Sequence, residues 1–145
     1  MESTGTTGYK VTNTGLATTL TGSALADTLI GRTGNDTLVG GLGDDTLTGG
    51  TRLDRFTVTS GIDTITDLGA GGVDIVTVAA GANVNATVTA AWTAGITTTN
   101  SGTANITTSG LAVNLAAVNT GTTGFNATNT GVAATLTGSG LVPII

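Results

Sequence analysis

The chain has no cysteine, no histidine, one proline, one tryptophan, one tyrosine and two phenylalanines in 145 residues. Without cysteine there is no disulfide framework, no thiolate nucleophile and no structural zinc site of the usual kind. Without histidine the commonest general base is missing. Aromatics are 3% and charged residues 9%, so a thick aromatic core is not expected. Four basic residues are too few for a nucleic-acid footprint. No run approaches the roughly 18 apolar residues of a membrane-spanning helix, so no transmembrane segment is expected. The N-terminus, MESTGTTGYK, has no basic region followed by an apolar run and does not read as a Sec-type signal peptide. A cysteine-free chain suits a protein that leaves a bacterial cell unfolded.

Charge is also missing locally. All thirteen charged residues lie between Glu2 and Asp74, and none follows from Ile75 to Ile145. Disordered segments stay soluble through charge and low hydrophobicity. The second half has neither, so it is expected to be ordered or assembled.

What remains is abundant: 24 glycines, about a quarter threonine, and thinly scattered Leu, Val and Ile. Threonine and valine favour strands. No window carries a 3.6-residue apolar stripe, and short strand candidates such as RFTVTS, VDIVTV and ANITTS are punctuated by Gly and Asn. The chain is predicted all-β, with the rhythm of a solenoid.

Repeats occur at two scales. The short one has period nine. Glycine falls at Gly22, Gly31, Gly40 and Gly49, and aspartate five later at Asp27, Asp36, Asp45 and Asp54. An apolar residue follows two further on, at Leu29, Leu38, Leu47 and Phe56. Each row divides into a six-residue turn and a three-residue strand whose middle side chain faces inward. Leu29, Leu38, Leu47 and Phe56 would then stack as a narrow core ladder. The long repeat sets TTGYKVTNTGLATTLTGS from Thr6 against TTGFNATNTGVAATLTGS from Thr122, an offset of 116 residues. The chain reads as one full unit plus the start of the next, and its GSGLVPII tail as a natural cap or a foreign scar.

Stacked turns bring aspartates together, and no basic residue recurs at the same period to neutralise them. A hard cation would do so, because calcium takes six to eight oxygens from carboxylates and backbone carbonyls. Glycine lets carbonyls converge where a Cβ would intrude.

These rows resemble the GGxGxDxUx nonapeptide of the RTX (repeats-in-toxin) family. GGLGDDTLT, from Gly40, matches every specified position; GRTGNDTLV has Arg32 at the second glycine, and GGTRLDRFT has Arg52 at the fourth position. GSALADTLI keeps only Gly22, Asp27 and Leu29. The resemblance implies a parallel β-roll or β-solenoid of stacked nonapeptide turns that alternate sides. Calcium would sit between each turn and the one two rows later, about two ions in all. It would pair Asp27 with Asp45, completed by the carbonyls of Gly22, Ala24, Gly41 and Gly43. It would pair Asp36 with Asp54, completed by those of Gly31, Thr33, Gly50 and Arg52. Such carbonyl ligands survive a side-chain change only if the backbone angles survive. Asp63, Asp67 and Asp74 cap the roll or hold a third, weaker ion, with solvated loop carboxylates the simpler reading. Asp44 faces outward as a bystander.

Four segments follow: 1–21, the end of a Thr-rich repeat unit; 22–57, the calcium roll; 58–78, capping or transition strands; and 79–145, an uncharged solenoid or sandwich-like module in which 122–139 repeats 6–23. Trp92, Tyr9 and Phe125 are expected in core or cap packing. No nucleophile–base spacing is present, so no enzyme is expected. The resemblance implies a secreted, extracellular or surface-anchored bacterial protein exported by a type I route. The expected function is a structural repeat of an adhesin stalk, S-layer or filament that associates with like copies. Alternatives are the C-terminal segment of a secreted toxin or enzyme, and a Thr-rich ice-binding solenoid. Against the last, the Thr-x-Thr pairs do not recur at one rung spacing.

Overall fold

The computed structural model describes residues 6–140. Glu2 and the LVPII end of the questioned tail lie outside them. Every described regular element is a strand, and every strand pair is parallel. Fifteen strands wind as a β-solenoid with about six turns between the first and last rungs.

One sheet has seven strands, in the order β1 (Lys10–Thr12), β3 (Thr28–Thr33), β5 (Thr46–Thr51), β7 (Ile62–Leu68), β9 (Asn83–Val88), β12 (Thr103–Thr108) and β14 (Phe125–Asn129). Facing it is a five-stranded sheet of β2 (Thr19–Thr21), β4 (Thr37–Val39), β6 (Arg55–Val58), β8 (Ile75–Val78) and β11 (Thr99–Asn100). A third sheet joins β10 (Trp92–Thr93), β13 (Val113–Asn114) and β15 (Leu136–Thr137) in the later turns.

The nine-residue beat places successive rows on opposite sheets. Leu29, Leu47 and Ile65 therefore stack in one column, and Leu38, Phe56 and Val76 in the other. The expected single core ladder is two facing columns, all fully buried or nearly so. Each such side chain contributes roughly 2 kcal/mol by leaving water. Trp92 and Phe125 extend the same core, edge to face at 6.4 Å, and the Trp92 indole N–H donates to the Asp74 carbonyl at 3.0 Å. Tyr9 is half-buried.

No break separates the expected segments. Strand β6 crosses the 57/58 boundary, and β7 and β8 are further rungs of the two sheets rather than a cap. What changes is the length of each turn. It is 18 residues up to β7, then 21 from Thr64 to Asn85, 20 from Asn85 to Asn105 and 21 from Asn105 to Asn126. A register shift between Ile65 and Leu68 marks the transition.

The lengthening keeps the outer face of the seven-stranded sheet in register, although Thr-x-Thr pairs recur on it only at Thr46/Thr48 and Thr64/Thr66 and give way to Asn-x-Thr in later rungs. On the outer face of the seven-stranded sheet, Thr28, Thr46, Thr64, Asn85, Asn105 and Asn126 share one column above Lys10. Two residues on, the Thr48 and Thr66 hydroxyls meet at 2.8 Å, and Thr87, Thr107 and Thr128 are in register. The asparagines form a ladder, Asn126 to Asn105 and Asn105 to Asn85, each amide donating at 3.0 Å. The longer turns compensate in space for the irregular spacing in sequence.

Candidate metal centre

Each row aspartate stands just before its strand. Because stacking has period 18, the aspartates form two columns. Asp27, Asp45 and Asp63 make one; Asp36, Asp54 and Asp74 make the other. All six are at most 2% exposed. In both columns Oδ1 accepts the backbone N–H of the aspartate one turn earlier. Asp27 donates to Asp45 at 2.8 Å and Asp45 to Asp63 at 3.0 Å. Asp36 donates to Asp54 at 2.8 Å and Asp54 to Asp74 at 2.9 Å. At the N-terminal end, Tyr9 N–H donates to Asp27, and Thr18 N–H donates to Asp36 at 2.8 Å.

The second oxygens divide the six. Oδ2 of Asp36, Asp45, Asp54 and Asp63 is buried with no hydrogen-bond partner. Oδ2 of Asp27 accepts the Ser23 N–H at 2.5 Å and its hydroxyl at 2.9 Å. Oδ2 of Asp74 accepts the Gly69 N–H at 2.7 Å. The Oδ2 atom of each of the four row aspartates faces its row glycine. A Cβ on Gly22, Gly31, Gly40 or Gly49 would stand 2.7, 2.6, 2.3 or 2.4 Å from Oδ2 of Asp27, Asp36, Asp45 or Asp54. The same points at Gly22 and Gly31 lie 2.0 and 2.5 Å from the carbonyl oxygens of Gly40 and Gly49. Glycine is required here to leave the cradle open.

The turns keep their backbone through most substitutions. Gly41 and Gly43 have φ of +106° and +100°. Arg32 and Arg52, where the motif departs from glycine, hold φ of 73° and 87°, the two positive-φ non-glycine residues among those described. Holding such residues left-handed costs about 1 kcal/mol or more each. The first row lacks this geometry: neither Ser23 nor Leu25 has positive φ. The Gly41 carbonyl accepts the Thr59 hydroxyl at 2.9 Å, and that of Gly43 lies against Gly61.

Burial, opposed in part by the N–H of Asp36, raises the Asp54 carboxyl to about 7, and the charges of Asp74, Asp36 and Asp67 add to the rise. Burial likewise raises Asp63 to about 7, aided by the charges of Asp45 and Asp44, and Asp74 to about 6. Asp45 is raised by the same causes. Burial also pushes on Asp27, but the N–H groups of Ser23 and Tyr9 and the Ser23 hydroxyl together hold it below its ordinary value. Buried, mutually repelling carboxylates with unpaired oxygens are costly without a counter-charge. The donor set is all oxygen. Among the described residues no group of three or more acidic, His or Cys side chains gathers to hold a metal, so any ion here needs backbone oxygens as well. Those features fit a hard divalent cation such as calcium.

The stack brings together the expected pairs Asp27–Asp45 and Asp36–Asp54. It also corrects three readings. Asp63 and Asp74 are not solvated loop carboxylates but the next members of the two columns. Asp67 accepts the N–H groups of Gly49 at 3.0 Å and Gly50 at 2.7 Å, so both its oxygens clasp the turn below. Asp44, though exposed, accepts the Ile62 N–H at 2.8 Å and so ties two turns. The Gly69–Asp74 spacing of five, outside the nine-residue period, was the signal for Asp74. Asp63 follows Val58 instead of glycine and carries no such signal.

No curated protein and no solved structure matches the chain. Residues 21–51 match the model of the RTX calcium-binding nonapeptide repeat in 4 copies, so the segment that supplies the first rows of both aspartate columns is an RTX calcium-binding repeat block.

Proposed function

We propose that the chain is a calcium-dependent structural repeat of a secreted bacterial surface protein, a segment of an adhesin stalk, S-layer or filament, with no catalytic role of its own. The observation that carries this reading is the equivalence of its two ends. The last turn (β14 and β15) repeats in sequence the first (β1 and β2), and it lies on the far side of the stack. One 116-residue unit thus corresponds to six turns, with the seventh rung opening the next unit. The seven-stranded sheet would run on unbroken, and the β10–β13–β15 sheet would lead into the β2 sheet of the next unit.

Folding would be coupled to calcium. In a low-calcium cytoplasm the aspartates repel and the chain stays unfolded for export. Outside, calcium at roughly 10⁻⁴–10⁻³ M, the range of extracellular modules, binds the rolled form and drives folding by mass action. The test is a chain of several 116-residue units viewed by electron microscopy in calcium. A continuous rod should lengthen by about 29 Å per unit, six rungs at roughly 4.8 Å. Separately tumbling beads, or a rod formed equally well in chelator, would sink the proposal. The toxin-segment reading instead predicts a catalytic domain in the same reading frame.

A second reading rests on the aligned Thr/Asn columns of the seven-stranded sheet, a flat and nearly uncharged face suited to ordering water as ice does. Thermal hysteresis in calcium-loaded protein tests it, and no hysteresis at millimolar protein concentration would remove it. Ile30, between Thr12 and Thr48, and Lys10 interrupt this face.

A further inference from the structure

We infer that the Asp27–Asp45–Asp63 column holds its cation between Asp45 and Asp63, over Gly40, with Asp63 supplying a ligand from outside the nonapeptide block. Asp63 lies beyond the matched residues 21–51 and in a row that has lost the glycine.

The oxygens choose between the two gaps in this column. In the lower gap, Asp27 Oδ2 is taken by the N–H and hydroxyl of Ser23. In the upper gap, Oδ2 of both Asp45 and Asp63 is buried and unpaired. Both point to one place: a Cβ on Gly40 would stand 2.3 Å from Asp45 Oδ2 and 2.8 Å from Asp63 Oδ2. Two bare carboxylate oxygens facing each other in a buried site repel unless a cation or a proton lies between them. The row below supports the same choice, since row 22–30 lacks the left-handed turn that rows 31–57 keep. The other column behaves consistently. Its open pair is Asp36 and Asp54, and Asp74 closes it with Oδ2 on the Gly69 N–H. The columns are thus staggered by one row. Asp27 closes one at its start and Asp74 closes the other at its end.

This inference rests on calcium being the bound ion, and the test separates the two. Calcium is titrated into the whole chain against a chromophoric chelator, and ions bound per chain are counted for wild type, Asp63→Asn and Asp36→Asn. Asparagine at 63 keeps the Oδ1 acceptor for the Asp45 N–H and turns an amide donor toward Asp45 Oδ2. Asp63→Asn should therefore fold, bind one ion fewer, and, without calcium at mildly acidic pH where the roll stands by itself, melt higher than wild type. Asp36→Asn should lose a different ion, and the double variant two. Gly40→Ala fills the cradle without changing charge and should lose the same ion as Asp63→Asn. An unchanged count in Asp63→Asn overturns the inference while leaving calcium binding standing. A wild type that binds no calcium overturns both. A calcium count that is unchanged while Asp63→Asn still melts higher identifies a shared proton in place of the cation, and also overturns it.

Discussion

The calcium-free roll should lose stability as pH rises from 4.5 to 7.5, the reverse of an ordinary acidic protein. Asp54 and Asp63 have folded values of about 7 and Asp74 about 6, against an ordinary 3.8. A carboxyl whose folded value is raised binds its proton more tightly in the fold than in the unfolded chain. It costs nothing below the unfolded value, and its penalty grows between that and the folded value before levelling off. For Asp54 or Asp63 the full penalty is roughly 4 kcal/mol, and for Asp74 roughly 3 kcal/mol. Asp54 and Asp74 act on each other, so the penalties do not simply add, but any one of them is a large fraction of the roughly 5–15 kcal/mol total stability of an ordinary domain. Asp27 is shifted the other way, so its contribution fades only as pH falls below the ordinary carboxylate value, outside this window. Thermal melts followed by circular dichroism in calcium-stripped buffer should therefore give a midpoint that falls steadily as pH rises, until near pH 7 the folded baseline is lost. Saturating calcium should invert the slope, because ions displace the protons and bind best where the carboxylates are bare. A calcium-free midpoint that is flat or rises from pH 4.5 to 7.5 would refute the picture of buried, unpaired oxygens.

Asp44→Ala should cost about 1 kcal/mol by freeing the Ile62 N–H and leave the number of bound calcium ions unchanged; a lost ion would make Asp44 a ligand. Gly50→Ala should prevent folding or cost more than about 3 kcal/mol, because its φ is +102° and a Cβ would sit 1.9 Å from the Arg32 carbonyl oxygen. Gly95→Ala, with nothing within 4 Å and no positive φ, should be neutral in the same chemical denaturation series. Trp92 is 1% exposed and bonded to the Asp74 carbonyl, so its emission should shift to the blue when calcium is added to the unfolded chain. An emission maximum indifferent to calcium would show that the later turns fold independently of the aspartate columns.

The all-β class, the solenoid rhythm, the row aspartates and the inward positions of Leu29, Leu38, Leu47 and Phe56 were legible because each depends on a fixed local spacing, whereas the parallel roll with turns on alternate sides was implied by the resemblance to the nonapeptide family. Where rows keep nine residues, as they do up to β7, each makes a half-turn and 18 residues return the chain to the same sheet. The 116-residue repeat was legible for the same reason. The rest depended on contacts between residues far apart in the chain. The alignment of Thr87, Thr107 and Thr128 exists because turns lengthen after β7, and a loop insertion leaves no trace in local periodicity. Asp63 entered its column through stacking, without the glycine that marks the others. Which oxygens stay free was also decided in three dimensions. Ser23 satisfies Asp27 and Gly69 satisfies Asp74, while Asp45 and Asp63 are left facing one another over Gly40. By itself the sequence determined that carboxylates would be stacked at a regular spacing. Only the tertiary structure decided which of them lack a protein donor, because burial and hydrogen-bond competition are properties of neighbouring turns and not of any one row.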